Sequence, residues 1–104
     1  MANPFRGEVA LMLDGREHVA RLTLGALAEL EAELGADGLT GLMERMDAGR
    51  IASREIMAVL VAGLRGGGWS GRAADLVAVE IGGGPLEAAR LAARLLALAF
   101  RAPE

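Results

Sequence analysis

The sequence predicts a mainly helical α+β domain, an N-terminal β-hairpin packed on a bundle of about five short helices. Three observations carry this. Ala and Leu dominate an apolar content of 53%, and both favour helices because they lose little side-chain entropy there. Asp14-Gly15 separates two short alternating runs, a strong hairpin signal. Beyond residue 22, apolar residues recur at helical spacing between glycine stops.

The hairpin is read from Glu8–Leu13 and Arg16–Leu22. A type I′ turn needs positive φ at both central residues, which Asp-Gly supplies. A two-residue loop pairs Leu13 with Arg16, Leu11 with His18 and Val9 with Ala20. One face then carries Val9, Leu11, Leu13, Ala20 and Leu22, while Met12 and Glu17 fall on a wet face. A lone hairpin is marginal in water, so its apolar face must lie on helices.

Thr23 reads as an N-cap, its hydroxyl accepting a free backbone N–H. Leu24, Leu27, Leu30 and Leu34 give the first helix its apolar positions, and Gly35 closes it. Leu39, Leu42, Met43 and Met46 mark a second helix ending at Gly49. Ser53 is expected to cap a third, with Glu55 in its first turn and Ile56, Val59, Leu60, Gly63 and Leu64 inward. Gly66-Gly67-Gly68 stops it. Ser70 is expected to cap a fourth through Leu76, Val77 and Ile81, stopped by Gly82-Gly83-Gly84. Pro85 opens the longest helix, which runs to Phe100. Trp69, one of three aromatic residues, is expected to be at least half buried between the third and fourth helices. At 104 residues the chain reads as a single domain, 1–104, with the hairpin over 8–22 and the helical part over 23–101.

Composition narrows the function classes. No Cys is present, which excludes disulfide and thiolate chemistry. The N-terminus lacks a basic region followed by an apolar stretch, so no signal peptide is predicted. The longest uncharged apolar stretches fall short of the ~20 residues that span a bilayer. A cytoplasmic location without membrane contact is expected. Net charge is −3, unevenly spread. Residues 1–49 hold four Arg against nine acids, and residues 50–104 seven Arg against five. No concentrated basic patch with stacking aromatics exists, which argues against nucleic acid as a partner. A small helix-turn-helix regulator would need a basic recognition helix, but the stretch after Ser70 offers Arg72 against Asp75 and Glu80.

No residue set suits catalysis, metal or cofactor binding. His18 is the only histidine; a zinc site takes three or four ligands, so it reads as structural. Ser53 and Ser70 lack an adjacent base. Glu29 and Glu33 share one helix face and read as solvated acids. The glycine triplets follow no strand, and the chain has no Lys for a Walker loop. An enzyme is not expected.

The last helix is the candidate protein-binding element. Leu86, Ala89, Ala93, Leu96 and Phe100 form one stripe, and Leu91, Leu95 and Leu98 a second, with Ala88, Ala92 and Ala99 between them. The apolar arc covers roughly 220°, more than a one-sided surface helix needs. Two readings follow: a central core helix, or an interface formed by Leu91, Leu95 and Leu98 with Ala88 and Ala92. The second predicts self-association through that stripe.

Several segments resemble a known family. They are Phe5-Arg6-Gly7-Glu8-Val9, Leu13-Asp14-Gly15, the segment from Leu22 to Glu31 that begins Leu-Thr-Leu-Gly-Ala-Leu, and Ala62-Gly63-Leu64-Arg65-Gly66-Gly67-Gly68. Together they resemble small tail proteins encoded in gene transfer agents and related prophages of alphaproteobacteria, over about the first 84 residues. The resemblance implies a tail assembly chaperone that binds the tape-measure protein while the tail tube polymerises. It also implies an alternative, since the family is described too as tail tube protein: a structural tube or connector subunit, with other tail proteins as partners. A tube subunit is expected to be mostly β, so one hairpin and five helical stretches favour the chaperone reading.

Overall fold

A computed structural model describes residues 2–35, 37–76 and 79–100. After a 3-10 turn at Pro4–Arg6 come β1 (Glu8–Leu13), β2 (Arg16–Arg21), α1 (Leu24–Leu34), α2 (Gly38–Asp47), α3 (Ser53–Gly66), α4 (Ala73–Leu76) and α5 (Gly84–Ala99). The architecture is the expected α+β one, a hairpin on helices. Val77 lies outside the described residues, as does Arg101.

β1 and β2 pair antiparallel in the register set by the turn, from Leu13 opposite Arg16 to Glu8 opposite Arg21. Asp14 and Gly15 have φ of 49° and 79°, the left-handed pair that type I′ demands. Val9, Leu11, Leu13, Ala20 and Leu22 are buried on one face. Thr23 Oγ1 accepts the Ala26 N–H at 3.1 Å and starts α1. Gly35, at φ 84°, ends it.

α3 is the central element, touching α1, β2, α4 and α5. At Gly63 a β-carbon would stand 2.9 Å from Leu95 Cδ1 and 3.4 Å from Ala20 Cβ, so α3, β2 and α5 converge there. The glycine triplet does more than stop the helix. A β-carbon on Gly66 would lie 2.0 Å from the Arg21 carbonyl oxygen, and one on Gly67 2.0 Å from that of Val19. Both glycines let the C-terminal turn of α3 lie directly on the backbone edge of β2.

Three expectations are corrected. α3 is preceded by Ala52 as N-cap instead of Ser53, because the Glu55 carboxylate reaches back and accepts the Ala52 N–H at 2.9 Å. α4 is a single turn, Ala73–Leu76, that Ser70 does not cap; Asp75 Oδ2 accepts the Arg72 N–H at 2.8 Å. Ile81 is not helical but bridges Leu13 in antiparallel fashion. There the Asp14 N–H donates to the Glu80 carbonyl at 2.9 Å, the Glu80 N–H to Asp14 Oδ1 at 2.9 Å, and the Gly82 N–H to the Met12 carbonyl at 3.0 Å. Hydrogen bonds to the turn end of β1 thus hold Glu80, Ile81 and Gly82. α5 begins at Gly84, with Pro85 one residue in, where its missing N–H costs no helical bond.

Candidate protein-binding surface

The polar residues singled out as possible chemistry are dispersed. His18 sits part-buried opposite Leu11 on the apolar side of the hairpin. Ser53 and Ser70 are exposed at opposite ends of α3 and its following loop. Glu29 pairs with Arg65 across α1 and α3 at 3.1 Å. Among the described residues, no group of three or more His, Asp or Glu could hold a metal ion.

One ionic cluster was not legible in the sequence. Arg45 of α2 reaches the Glu55 carboxylate of α3, its Nε 2.8 Å from Oε2 and its Nη2 on the same oxygen. Its Nη1 meets Asp37 Oδ2 at 2.6 Å. Glu55 is the buried charged residue in this part of the fold. The Arg45 guanidinium, chiefly through its hydrogen bonds, holds both carboxyls below the usual carboxylate range, and Glu55 in turn raises Arg45. Arg45 on Oε2 and the Ala52 N–H on Oε1 give both Glu55 oxygens a hydrogen-bond partner. The cluster fastens α2 to the start of α3, which is a structural task.

α5 resolves its two stripes differently from the interface expectation. Ala88, Ala92 and Leu95 are buried, at 5%, 0% and 1% exposure, and Leu96 joins them. Leu91 and Leu98 pack against the same core. The core face is therefore centred between the two stripes, where small Ala88 and Ala92 let α5 approach α3 and the hairpin closely. Of the residues expected to form an interface, Ala88, Ala92 and Leu95 lie in the core of the folded chain, and Leu91 and Leu98 are partly buried at its margin. The reason is packing. The short bridge at Ile81 turns the chain so that α5 lies across both α3 and β1.

What α5 leaves uncovered is the outer edge of the first stripe, with Leu86 67% and Phe100 48% exposed. On α1, Leu24 is 84% exposed. Between α3 and the start of α5 lies an apolar recess of about 400 Å³, lined by Ile56, Met57, Leu60, Leu76, Val79 and Pro85 among others. Ser53 and Glu80 are its polar members. Trp69 is partly buried against the core, its ring lying over Gly71, where a β-carbon would meet it at 2.1 Å. No helix among the described residues is long and apolar enough to cross a membrane.

On α1 and α5 the exposed apolar side chains Leu24, Leu86 and Phe100 stand among Glu and Arg side chains. No curated protein and no solved structure matches the chain. The profile of one family, described as phage tail tube protein, GTA-gp10, matches residues 6–102. That span takes in the hairpin and all five helices, including α5, which the resemblance over the first 84 residues had left aside. The chain thus belongs to the phage tail tube protein (GTA-gp10) family of gene transfer agents.

Proposed function

We propose that the chain is a structural subunit of the tail of a gene-transfer-agent particle, associating with copies of itself and with other tail proteins and catalysing no reaction. The family match over residues 6–102 is the observation that supports this reading. The apolar side chains exposed on α1 and on α5, Leu24, Leu86 and Phe100, are consistent with it, since they offer two separate faces for association. The protein would be made in the cytoplasm and incorporated as the tail assembles.

A second reading, a tail assembly chaperone that binds the tape-measure protein and leaves before maturation, is favoured by one feature of the fold. A tube wall closed from sheets requires free strand edges. Here the β2 edge is occupied by Gly66 and Gly67, and the turn end of β1 by Glu80–Gly82. A helical chain with covered edges is better suited to helix-in-groove contact. Immunogold labelling of purified particles separates the two. Label along the tail is the result expected of a subunit. Unlabelled particles, with the chain instead co-purifying with soluble tape-measure protein on co-expression, would overturn the subunit reading in favour of the chaperone.

A further inference from the structure

The outward faces of α1 and α5 complement each other, and we infer that they meet between chains, the outer face of α1 in one copy docking on the outer face of α5 in the next. The inference rests on the reading of the chain as a self-associating tail subunit and gives that reading its surfaces.

On α1, Leu24, Ala28 and Ala32 recur one helical turn apart, and all three are exposed. Glu31 flanks this strip on one side and Glu33 on the other. On α5, Leu86, Ala97 and Phe100 are exposed along the opposite face from the core, with Arg90 and Arg94 beside them. Each strip is apolar at its centre, with small residues that let two helices approach closely. Each is flanked by charge: Glu31 and Glu33 on α1, and on α5 Arg94 together with Arg90, which faces Glu87 at 3.9 Å. Glu31, Glu33 and Arg94 have no ion-pair partner among the described residues. The rims therefore carry uncompensated charge of opposite sign. Like faces repel, so α1 against α1, or α5 against α5, is disfavoured, and the complementary pairing is α1 against α5.

The two faces cannot meet within one chain, because α3 stands between them. α1 packs on the side of α3 that carries Ala58, Ala62 and Arg65. α5 packs on the side that carries Ile56, Leu60 and Gly63. At about 100° per residue these sides lie about half a turn apart. A contact that joins one surface of a copy to a different surface of the next is heterologous. It propagates, giving a ring where the rotation closes and a filament where it does not. The second copy is the occupant that this geometry and charge pattern fit.

The test is sedimentation velocity on the full chain at low salt, for wild type, Glu31→Arg, Arg94→Glu and an equimolar mixture of the two variants. Both side chains are exposed and unpaired, so the variants should fold, which circular dichroism checks. Glu31→Gln and Arg94→Gln supply weaker changes of the same direction should a reversal disturb folding. Wild type should associate with rising concentration, and each reversal should raise the dissociation constant at least about tenfold. The mixture should regain assembly, because the reversed faces attract each other. A wild type that stays monomeric into the millimolar range, reversals that assemble like wild type, or a mixture that stays dissociated would each overturn the docking. The subunit reading fails separately: wild type that assembles this way but is absent from purified particles leaves the docking standing and removes that reading.

Discussion

Replacing Gly66 with alanine tests the closest approach in the fold. The added methyl would stand 2.0 Å from the Arg21 carbonyl oxygen, 3.2 Å from its carbon and 3.3 Å from Ala26 Cβ. A carbon rests against a carbonyl oxygen at about 3.3 Å, so the last turn of α3 must withdraw by about 1.3 Å. The obstacle is backbone on a paired strand, with no flexible end to swing aside. Overpacking of this kind costs ~1–3 kcal/mol, and a rigid neighbour places it at the upper end. Alanine regains ~1 kcal/mol over glycine inside a helix, and Gly66 has no positive φ to strain. The net expectation is a loss of about 2 kcal/mol, or roughly 8–16 °C in Tm for a domain of this size. Urea unfolding followed by circular dichroism reads it. Gly67→Ala should behave likewise against Val19, whereas Gly68→Ala, in open space at φ 106°, should lose only ~1 kcal/mol through backbone strain. A Gly66→Ala protein as stable as wild type, or stabler by the helix-propensity gain, would refute the close packing of α3 on β2.

Other perturbations follow from the same structure. Gly15→Val should destabilise by more than ~1 kcal/mol, since a β-branched residue resists φ near 79°; an unchanged denaturation midpoint would count against the type I′ turn. Leu95→Ala should lose ~2–5 kcal/mol as a core truncation, while Leu86→Ala, on an exposed face, should stay within ~0.5 kcal/mol. Equal losses at both positions would contradict the placement of α5. Acid should weaken the attachment of α2 to α3. Asp37 and Glu55 are held below their ordinary pKa, so their contribution is complete above about pH 5.5, begins to fall as pH approaches the ordinary carboxylate range, and is lost as pH drops through the lowered values. An Arg45→Met variant should lose that part of the acid sensitivity, and a variant with an unaltered stability profile between neutral and acid pH would remove the cluster from the account.

The features legible in the sequence were those whose cause is local. Asp14-Gly15 dictates its own turn, and the turn dictates the register, because loop length fixes which residues face each other. Thr23 and Gly35 bound α1 through contacts within a few residues. Distant partners decided the rest. The fate of Ile81 depended on hydrogen bonds offered by β1, nearly seventy residues earlier in the chain. Ser53 and Ser70 look like caps in isolation, yet the helix starts are held by Glu55 and Asp75, which accept the N–H groups of Ala52 and Arg72. A glycine triplet that ends a helix and one that lets a helix lie on a strand are the same three letters. Periodicity gives the width of the apolar arc on α5 and not which neighbour covers it, so the core face falls between the two stripes. The Arg45 cluster joins two helices across a loop, and no spacing rule announces it.

The central claim is that this chain builds the tail. Its most direct measurement is absolute quantification of the chain in purified particles by mass spectrometry with isotope-labelled standards, referred to a tail protein of known copy number. The account predicts the chain in every preparation, at a fixed copy number that is a whole multiple of the tail's rotational symmetry. Intact, tailed particles that contain none of it would contradict the account and leave the chain as a helper that departs before the tail is complete.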